Sequence, residues 1–334
     1  MSGQTGIEWC QATWNLVTGC TKVSEGCRNC WACRLATTRL RDHPRYWGLA
    51  EMRDGTPEWT GEVRLHPELL DQPLRWRKPR RIFVCSQADL LHKAVPGKFI
   101  DEVLVMMASA GWHSFLVLTK RPKRMLECLH NPAMGTYIWD RANRTHGPFV
   151  GEPWPLANVW LGVSIEDQKT ADGLIPLLLQ IPAAVRFVSY EPALGAISFR
   201  KWFDVVPVGF LRVFPLAHTA GIAHPQLDWI ICGGESGPNA RPSHPDWFRT
   251  VRDQCQVAGV PFFFKQWGEW LHSSQMDAEQ VDRALEIHGR NPERVHLWSD
   301  GSCSVRVGKK CAGRLLDGCT WDEFPAYTGS SEAR

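Results

Sequence analysis

An α/β fold is expected from this sequence: a full or partial (β/α) barrel of about six to seven parallel strands, with long loop inserts and a small C-terminal appendage. Three observations predict it. Short, nearly continuous apolar runs recur along the chain, as strands covered on both faces require. Stretches with helical periodicity separate them, which gives the alternation of a parallel βα sheet. Each run also ends in polar or charged residues, and in a parallel barrel the carboxyl ends of all strands converge on one mouth.

The first strand is expected around Thr13-Trp14-Asn15. Six more follow at Arg81 to Ser86, Phe115 to Lys120, Val159 to Ser164, Arg186 to Glu191, Asp228 to Gly233 and Val260 to Lys265, all rich in β-branched and aromatic residues. Lys98 to Ala110 and Pro245 to Ala258 read as helices between them. Two Pro- and Gly-rich stretches, Asn131 to Leu156 and Val205 to Gln226, interrupt the rhythm and read as long loops or inserts. Beyond Gly268 the pattern changes to an acidic helix-like stretch, Asp277 to Glu286, and then to short polar segments with Gly-bounded turns. The expected division is a barrel over residues 1–268 and an appendage over 269–334 packed on it.

The strand ends bring forward a set of candidate site residues. They are Ser86 and Asp89, then Thr119, Lys120 and Arg121, then Ser164 and Glu166, Ser189 and Glu191, Glu235 and Ser236, and finally Lys265, Gln266 and Trp267. Around one mouth these would form an active-site layout. For any one of them taken alone, the polar character also follows from loops meeting water.

No stretch approaches the roughly 20 apolar residues of a membrane span, and the N-terminus, with an acid at Glu8, does not read as a signal peptide. A cytoplasmic location is expected. The net charge of +3 is too small to establish nucleic-acid binding, but positive charge is dense from Arg75 to Arg81 and from Lys120 to Arg124. Such runs are commonly solvated faces. The interleaved Trp76 and a total of 17 tryptophans fit the other reading, in which aromatic faces stack on bases and cations hold phosphates.

In a reducing compartment the 12 cysteines read as metal ligands and small core residues rather than disulfide partners, and five of them fall within the first 33 residues. Cys20, Cys27 and Cys30 resemble the ligands of an iron–sulfur cluster. Cys27-x2-Cys30 is a chelating pair, Cys20 is a third ligand, and Gly19 and Gly26 permit the tight turns such a loop needs. Three thiolates leave one cluster position open for a small molecule. Cys33 keeps two readings open: it is a fourth ligand that closes the site, or, if the segment after Cys30 is helical, a side chain that packs a turn away. Structural zinc is the rival metal, although it favours two separated ligand pairs and only one is present. The chain has no HExxH helix, P-loop or GxGxxG fingerprint, and Gly234-Glu235-Ser236-Gly237-Pro238 is not a nucleophile elbow.

The cysteine run and its flanks, Ile7-Glu8-Trp9 and Ala12-Thr13-Trp14-Asn15, resemble the phage-associated three-Cys-motif protein family, which looks like a branch of the radical S-adenosylmethionine superfamily. Leu118 to Pro122, Trp160 to Glu166, Ser189 to Pro192, Gly233 to Gly237, Phe263 to Gly268 and Gly308 to Gly318 carry the resemblance along residues 7 to 325. Two features depart from the pattern. The spacing is Cys-x6-Cys-x2-Cys, longer than the superfamily's Cys-x3-Cys-x2-Cys, with Asn29 where an aromatic residue is usual. Cys33 stands where the family commonly has Glu.

The resemblance implies an enzyme in which Cys20, Cys27 and Cys30 hold a 4Fe-4S cluster that binds S-adenosyl-L-methionine and yields a 5′-deoxyadenosyl radical. It implies cofactor contacts at Gly233, Gly234, Glu235, Ser236, Ser164, Glu166, Ser189 and Glu191. Substrate contacts are expected at Asp89, Thr119, Lys120, Arg121, Lys265, Gln266 and Trp267. The implied substrate is a nucleobase in phage DNA or a nucleotide, the implied reaction an isomerisation of an amino-acid-derived thymine hypermodification, and the implied electron donor a flavodoxin or ferredoxin. If the chain is phage-encoded, its compartment is the bacterial host cytoplasm. Two alternatives stand beside this: a radical lyase or repair enzyme on nucleic acid, and a non-catalytic zinc or iron–sulfur nucleic-acid-binding module that uses Cys33 as well.

Overall fold

The computed structural model describes residues 5–129, 132–146, 154–203 and 226–326. Its main sheet has seven strands: β1 (Ala12–Trp14), β2 (Arg81–Val84), β3 (Ser114–Thr119), β4 (Val159–Ile165), β5 (Val185–Tyr190), β6 (Trp229–Gly233) and β7 (Phe262–Gln266). Their order in the sheet is their order in the chain. The paired registers are parallel, for example Phe115 with Val159 and Ile230 with Phe262. A doubly wound sheet would reverse its order at a switch point, so an unreversed series is that of a (β/α) barrel. The series begins at β1 and ends at β7, which makes the barrel partial.

Burial explains why the strands read as continuous apolar runs. Every residue of β4 is buried, and so is every residue of β6. Trp14, Trp160 and Trp229 are among the largest side chains fully enclosed. The helices are α1 (Trp31–Thr37), α2 (Gly97–Ser109), α3 (Pro122–Leu129), α4 (Pro132–His146), α5 (Gln168–Leu178) and α6 (Pro245–Ala258). Helix α2 buries Phe99, Val103 and Met107, one helical turn apart. Helix α6 starts with Pro245 in its first turn, where a missing N–H costs nothing, and stops at Gly259, whose φ of +69° is left-handed.

One insert differs from expectation. The stretch from Asn131 to Leu156 is not simply a loop, because α4 occupies much of it. Its Ile138 and Ala142 are buried a turn apart, it packs on α2, and Arg141 Nη2 meets Glu102 Oε1 at 2.6 Å. Pro132 and Gly135 mark a break in composition, yet tertiary packing of an apolar stripe outweighs that local propensity. The other insert, Val205 to Gln226, lies almost wholly outside the described residues.

The chain divides into two compact units. The first comprises residues 1–165, 174–185 and 326–334, and the second comprises 166–173 and 186–325. The first unit also holds two short antiparallel pairings, Val17–Thr18 with Arg64–Leu65 and Ala50–Arg53 with Thr56–Trp59. In the second unit a three-stranded antiparallel sheet follows β7, with β8 (Trp270–His272), β9 (Val295–Leu297) and β10 (Cys303–Arg306) in the order β8-β10-β9. The acidic stretch is α7 (Ala278–Arg290), opened by a capping box between Asp277 and Gln280, and a single turn, α8 (Lys309–Ala312), comes after β10.

The last described segment returns to β7. Phe264 N donates to Trp321 O at 3.0 Å, Trp267 N to Gly313 O at 3.2 Å and Phe262 N to the Glu323 carboxylate at 2.8 Å. An antiparallel bridge joins Phe263 to Asp322. Backbone groups on the free edge of β7 are thereby satisfied. The Gly308 to Gly318 motif owes part of its character to this role, since Asp317 also binds Arg249 and Arg252 of α6.

Candidate metal centre

The cysteine loop lies in the first unit, just beyond β1. Gly19 has a φ of +85°, and a Cβ there would run into the Glu62 carbonyl oxygen, so the position before Cys20 requires glycine. A 3-10 turn over Glu25–Cys27 follows, with Cys27 N bonded to Ser24 O at 3.0 Å. Cys30 N bonds to Cys27 O at 3.3 Å, and Cys30 is itself the N-cap of α1. All three thiols are half-buried. Cys33 lies inside α1 and is fully buried, as the helical reading of that segment requires.

The thiols are near enough to feel one another's charge: Cys30 raises Cys20, and Cys27 raises Cys30. Burial pushes the Cys20 thiol up to about 12, with Arg121 opposing and Asp89 reinforcing the rise. Burial also raises Cys30, against the backbone amides of Cys33 and Ala32 and the Trp59 side chain, all of which favour its thiolate. Burial thus disfavours the thiolate at Cys20 and Cys30, and a cation bound there would offset that penalty. Among the described residues no three His, Cys, Asp or Glu side chains converge on a single-ion position. The donor set is nonetheless all sulfur on a glycine-bounded loop, and its chemistry fits a thiolate-ligated cluster.

Of the expected substrate residues, Arg121 contacts this loop directly, and Asp89 and Thr119 are linked to it through Arg121. Asp89 accepts from the Thr119 hydroxyl at 2.8 and 2.9 Å, from Leu91 N at 2.9 Å and from Arg121 Nη1 at 2.6 Å. Arg121 Nη2 donates to Thr21 O and Thr21 Oγ1, both at 2.9 Å, and approaches Cys20 Sγ at 3.8 Å. Lys120 Nζ donates to Ser164 O at 3.3 Å. His92 was not among the expected residues. Its ring is fully buried, its Nε2 lies 3.0 Å from Thr21 Oγ1, and its Nδ1 accepts from Ala94 N, which leaves the proton on Nε2. The signal for it was the spacing from Asp89 to His92, a turn closed by His92 N and Asp89 O at 3.0 Å.

The other expected residues belong to the second unit. Ser189 Oγ donates to Glu191 Oε2 at 3.2 Å, and Lys265 Nζ meets Glu191 Oε1 at 3.0 Å. Glu166 is buried, with Thr170 Oγ1 accepting from its backbone N–H at 3.0 Å. Glu235 is buried and held by Arg241, whose Nε and Nη2 donate at 2.8 and 2.6 Å; sequence reasoning did not identify Arg241. Gly233 and Gly234 are close-approach positions. A Cβ on Gly233 would sit 2.6 Å from Glu191 Oε1, and one on Gly234 would collide with the Trp267 carbonyl. Gln266 Nε2 donates to Ser236 Oγ at 3.0 Å, and Trp267 Nε1 donates to Leu315 O at 2.7 Å.

The sequence profile of the family described as "Protein of unknown function (DUF5131)" matches residues 4–325. No curated protein matches the chain. Among solved structures, a mutant spore photoproduct lyase with bound AdoMet and dinucleoside spore photoproduct is similar at 10% identity and a TM-score of 0.37, over 89% of this chain and 68% of that one.

Proposed function

The chain belongs to the DUF5131 family, and from that premise and the cysteine loop we propose that it is a radical S-adenosylmethionine enzyme acting on a nucleobase in DNA. The observation that carries the reading is the set of three half-buried cysteines, Cys20, Cys27 and Cys30, on a loop that opens at Gly19, with Cys33 fully buried inside α1, where it still feels the charge of Cys30 and Cys20. Cys20, Cys27 and Cys30 would hold a 4Fe-4S cluster by three thiolates and leave one iron for the amino and carboxylate groups of S-adenosylmethionine. When bound, that pair supplies a 5′-deoxyadenosyl radical able to take hydrogen from a substrate carbon.

The chain's own residues hold, orient and shield. Arg121 and His92 hold Thr21, the residue next to Cys20, at its carbonyl and its hydroxyl. Gly233, Gly234 and Ser236 are proposed contacts for the cofactor, with Arg241 holding the Glu235 carboxylate in one orientation. Lys120 and Lys265 are proposed to meet the anionic part of a nucleotide, and a base in duplex would have to be flipped out to react. The finer reaction, isomerisation of an amino-acid-derived group on thymine, rests on the motif resemblance. A flavodoxin or ferredoxin is the proposed electron donor. No helix among the described residues is long and apolar enough to cross a membrane.

Anaerobic reconstitution with iron and sulfide tests this. The wild-type chain should take up a four-iron complement, and S-adenosylmethionine should change the electron paramagnetic resonance spectrum of the reduced protein and be converted to 5′-deoxyadenosine. Cys20→Ala, Cys27→Ala and Cys30→Ala should each lose the cluster, while Cys33→Ala keeps it. A colourless zinc protein in which Cys33→Ala is as damaging as Cys30→Ala would instead establish a nucleic-acid-binding zinc module. Nucleoside mass spectrometry of treated DNA then reads the reaction: loss of mass from the nucleoside points to a lyase, and a new chromatographic peak of the same mass points to an isomerase.

A further inference from the structure

Asp89 has both carboxylate oxygens engaged inside the fold: the Thr119 hydroxyl reaches each of them, and Leu91 N and Arg121 Nη1 add one bond apiece. The ion pair is almost wholly buried, with 14% of the Arg121 side chain and 8% of the Asp89 side chain exposed. Arg121 is further restrained at its backbone, where its N–H donates to Thr119 Oγ1 at 2.9 Å. One nitrogen of its fork is thus committed to Asp89, and the other, Nη2, faces the cysteine loop at Thr21 and Cys20 Sγ. Lysine could not make both sets of contacts, because it lacks the rigid planar fork.

We infer that Arg121, locked by Asp89, is a positioning residue that fixes Cys20 in the loop and sets the reduction potential of whatever cluster Cys20 ligates. The inference deepens the proposed function and rests on it for the cluster alone. Its physical basis is simple. Reduction adds negative charge, and a cation hydrogen-bonded at a ligand sulfur stabilises the reduced form, so it raises the potential. The same guanidinium closes the loop mechanically through Thr21, with His92 on the other side of that hydroxyl.

The test compares wild type with Arg121→Met and Arg121→Lys, in two arms. In reconstituted protein, Arg121→Met should bind the same iron and sulfide but show a lower midpoint potential, and Arg121→Lys should recover part of the difference. In metal-free protein, the backbone amides of residues 19–23 should exchange with deuterium several-fold faster in Arg121→Met, read by peptide mass spectrometry, because the loop loses its anchor. An unchanged potential in a fully loaded variant, or an unchanged exchange rate in the loop, would overturn the inference. If the wild-type chain assembles no cluster, the proposed function fails, while the exchange arm still decides whether Arg121 anchors the loop at Cys20.

Discussion

At Gly19 the backbone turns left-handed at a φ of +85°, and the Glu62 carbonyl fills the space a side chain would need. Gly19→Ala should cost about 1–2 kcal/mol for the backbone conformation alone, with the clash added to it. Thermal unfolding should show the loss, and iron uptake should fall with it, since Cys20 is the next residue. The spacing of Cys20, Cys27 and Cys30 and the turn at Gly19 were both legible in the sequence, because cysteine spacing and flanking glycine are local facts. The partners of Arg121 and Asp89 were not. A strand-end position says which end of the barrel a residue occupies, but a side chain pointing to solvent and one bonded to Thr21 share that position. His92 and Arg241 were missed for the same reason: each acts through a hydrogen bond to a residue that carries the more visible signal.

At the scale of elements, the two basic runs belong to opposite ends of the first unit's strands. Arg75 to Arg80 lead into the amino end of β2, whereas Lys120 to Arg124 follow the carboxyl end of β3, beside the cysteine loop. Catalytic groups of parallel barrels come from the carboxyl ends. Within the first run Arg80 stacks on Trp76 at 5.1 Å, and Arg77 and Lys78 are exposed. Replacing both Arg77 and Lys78 by Ala should therefore leave 5′-deoxyadenosine formation on a DNA substrate within twofold of wild type at low salt; a larger drop would move the substrate path to the amino end. Six of the seven strands were legible as apolar runs, most clearly β4 and β6, whose every residue is buried, while β1 is a short Ala-Thr-Trp segment expected from its place before the cysteine loop. Helix α4 was hidden by Pro132 and Gly135, whose local cost is outweighed by the contact with α2.

At the scale of the whole molecule, the second unit is fastened by its own terminal segment. Asp317 accepts from Arg249 Nη2 at 2.6 Å, Arg252 Nη1 at 2.7 Å and Gln275 Nε2 at 2.8 Å, which holds its carboxyl well below the usual carboxylate range, with the Arg249 hydrogen bond the largest cause. A carboxyl depressed by folding contributes its full stability above its unfolded value, near 3.8, and loses it as pH falls toward the lower folded value. Asp317→Asn should lower stability at pH 7 by roughly 1–2 kcal/mol, after allowance for partial exposure, and flatten the fall in melting temperature below about pH 4. A variant with the wild-type acid limb would show that the carboxylate is not a clamp. The resemblance identified Gly308 to Gly318 as a family motif, but its work on β7 and α6 depends on contacts far apart in the chain, which no local pattern reveals.

The unreversed strand order has a consequence for how the chain is made. Each strand that leaves the ribosome finds its sheet neighbour already synthesised, so pairing can proceed vectorially and no strand has to wait for one encoded later in order to enter between two others. Apart from the edge at β1, where the series begins, the growing edge is the one left open at any moment. The final edge, β7, is closed by residues 313–323, which emerge after all seven strands, so this segment is a seal applied to a sheet already made.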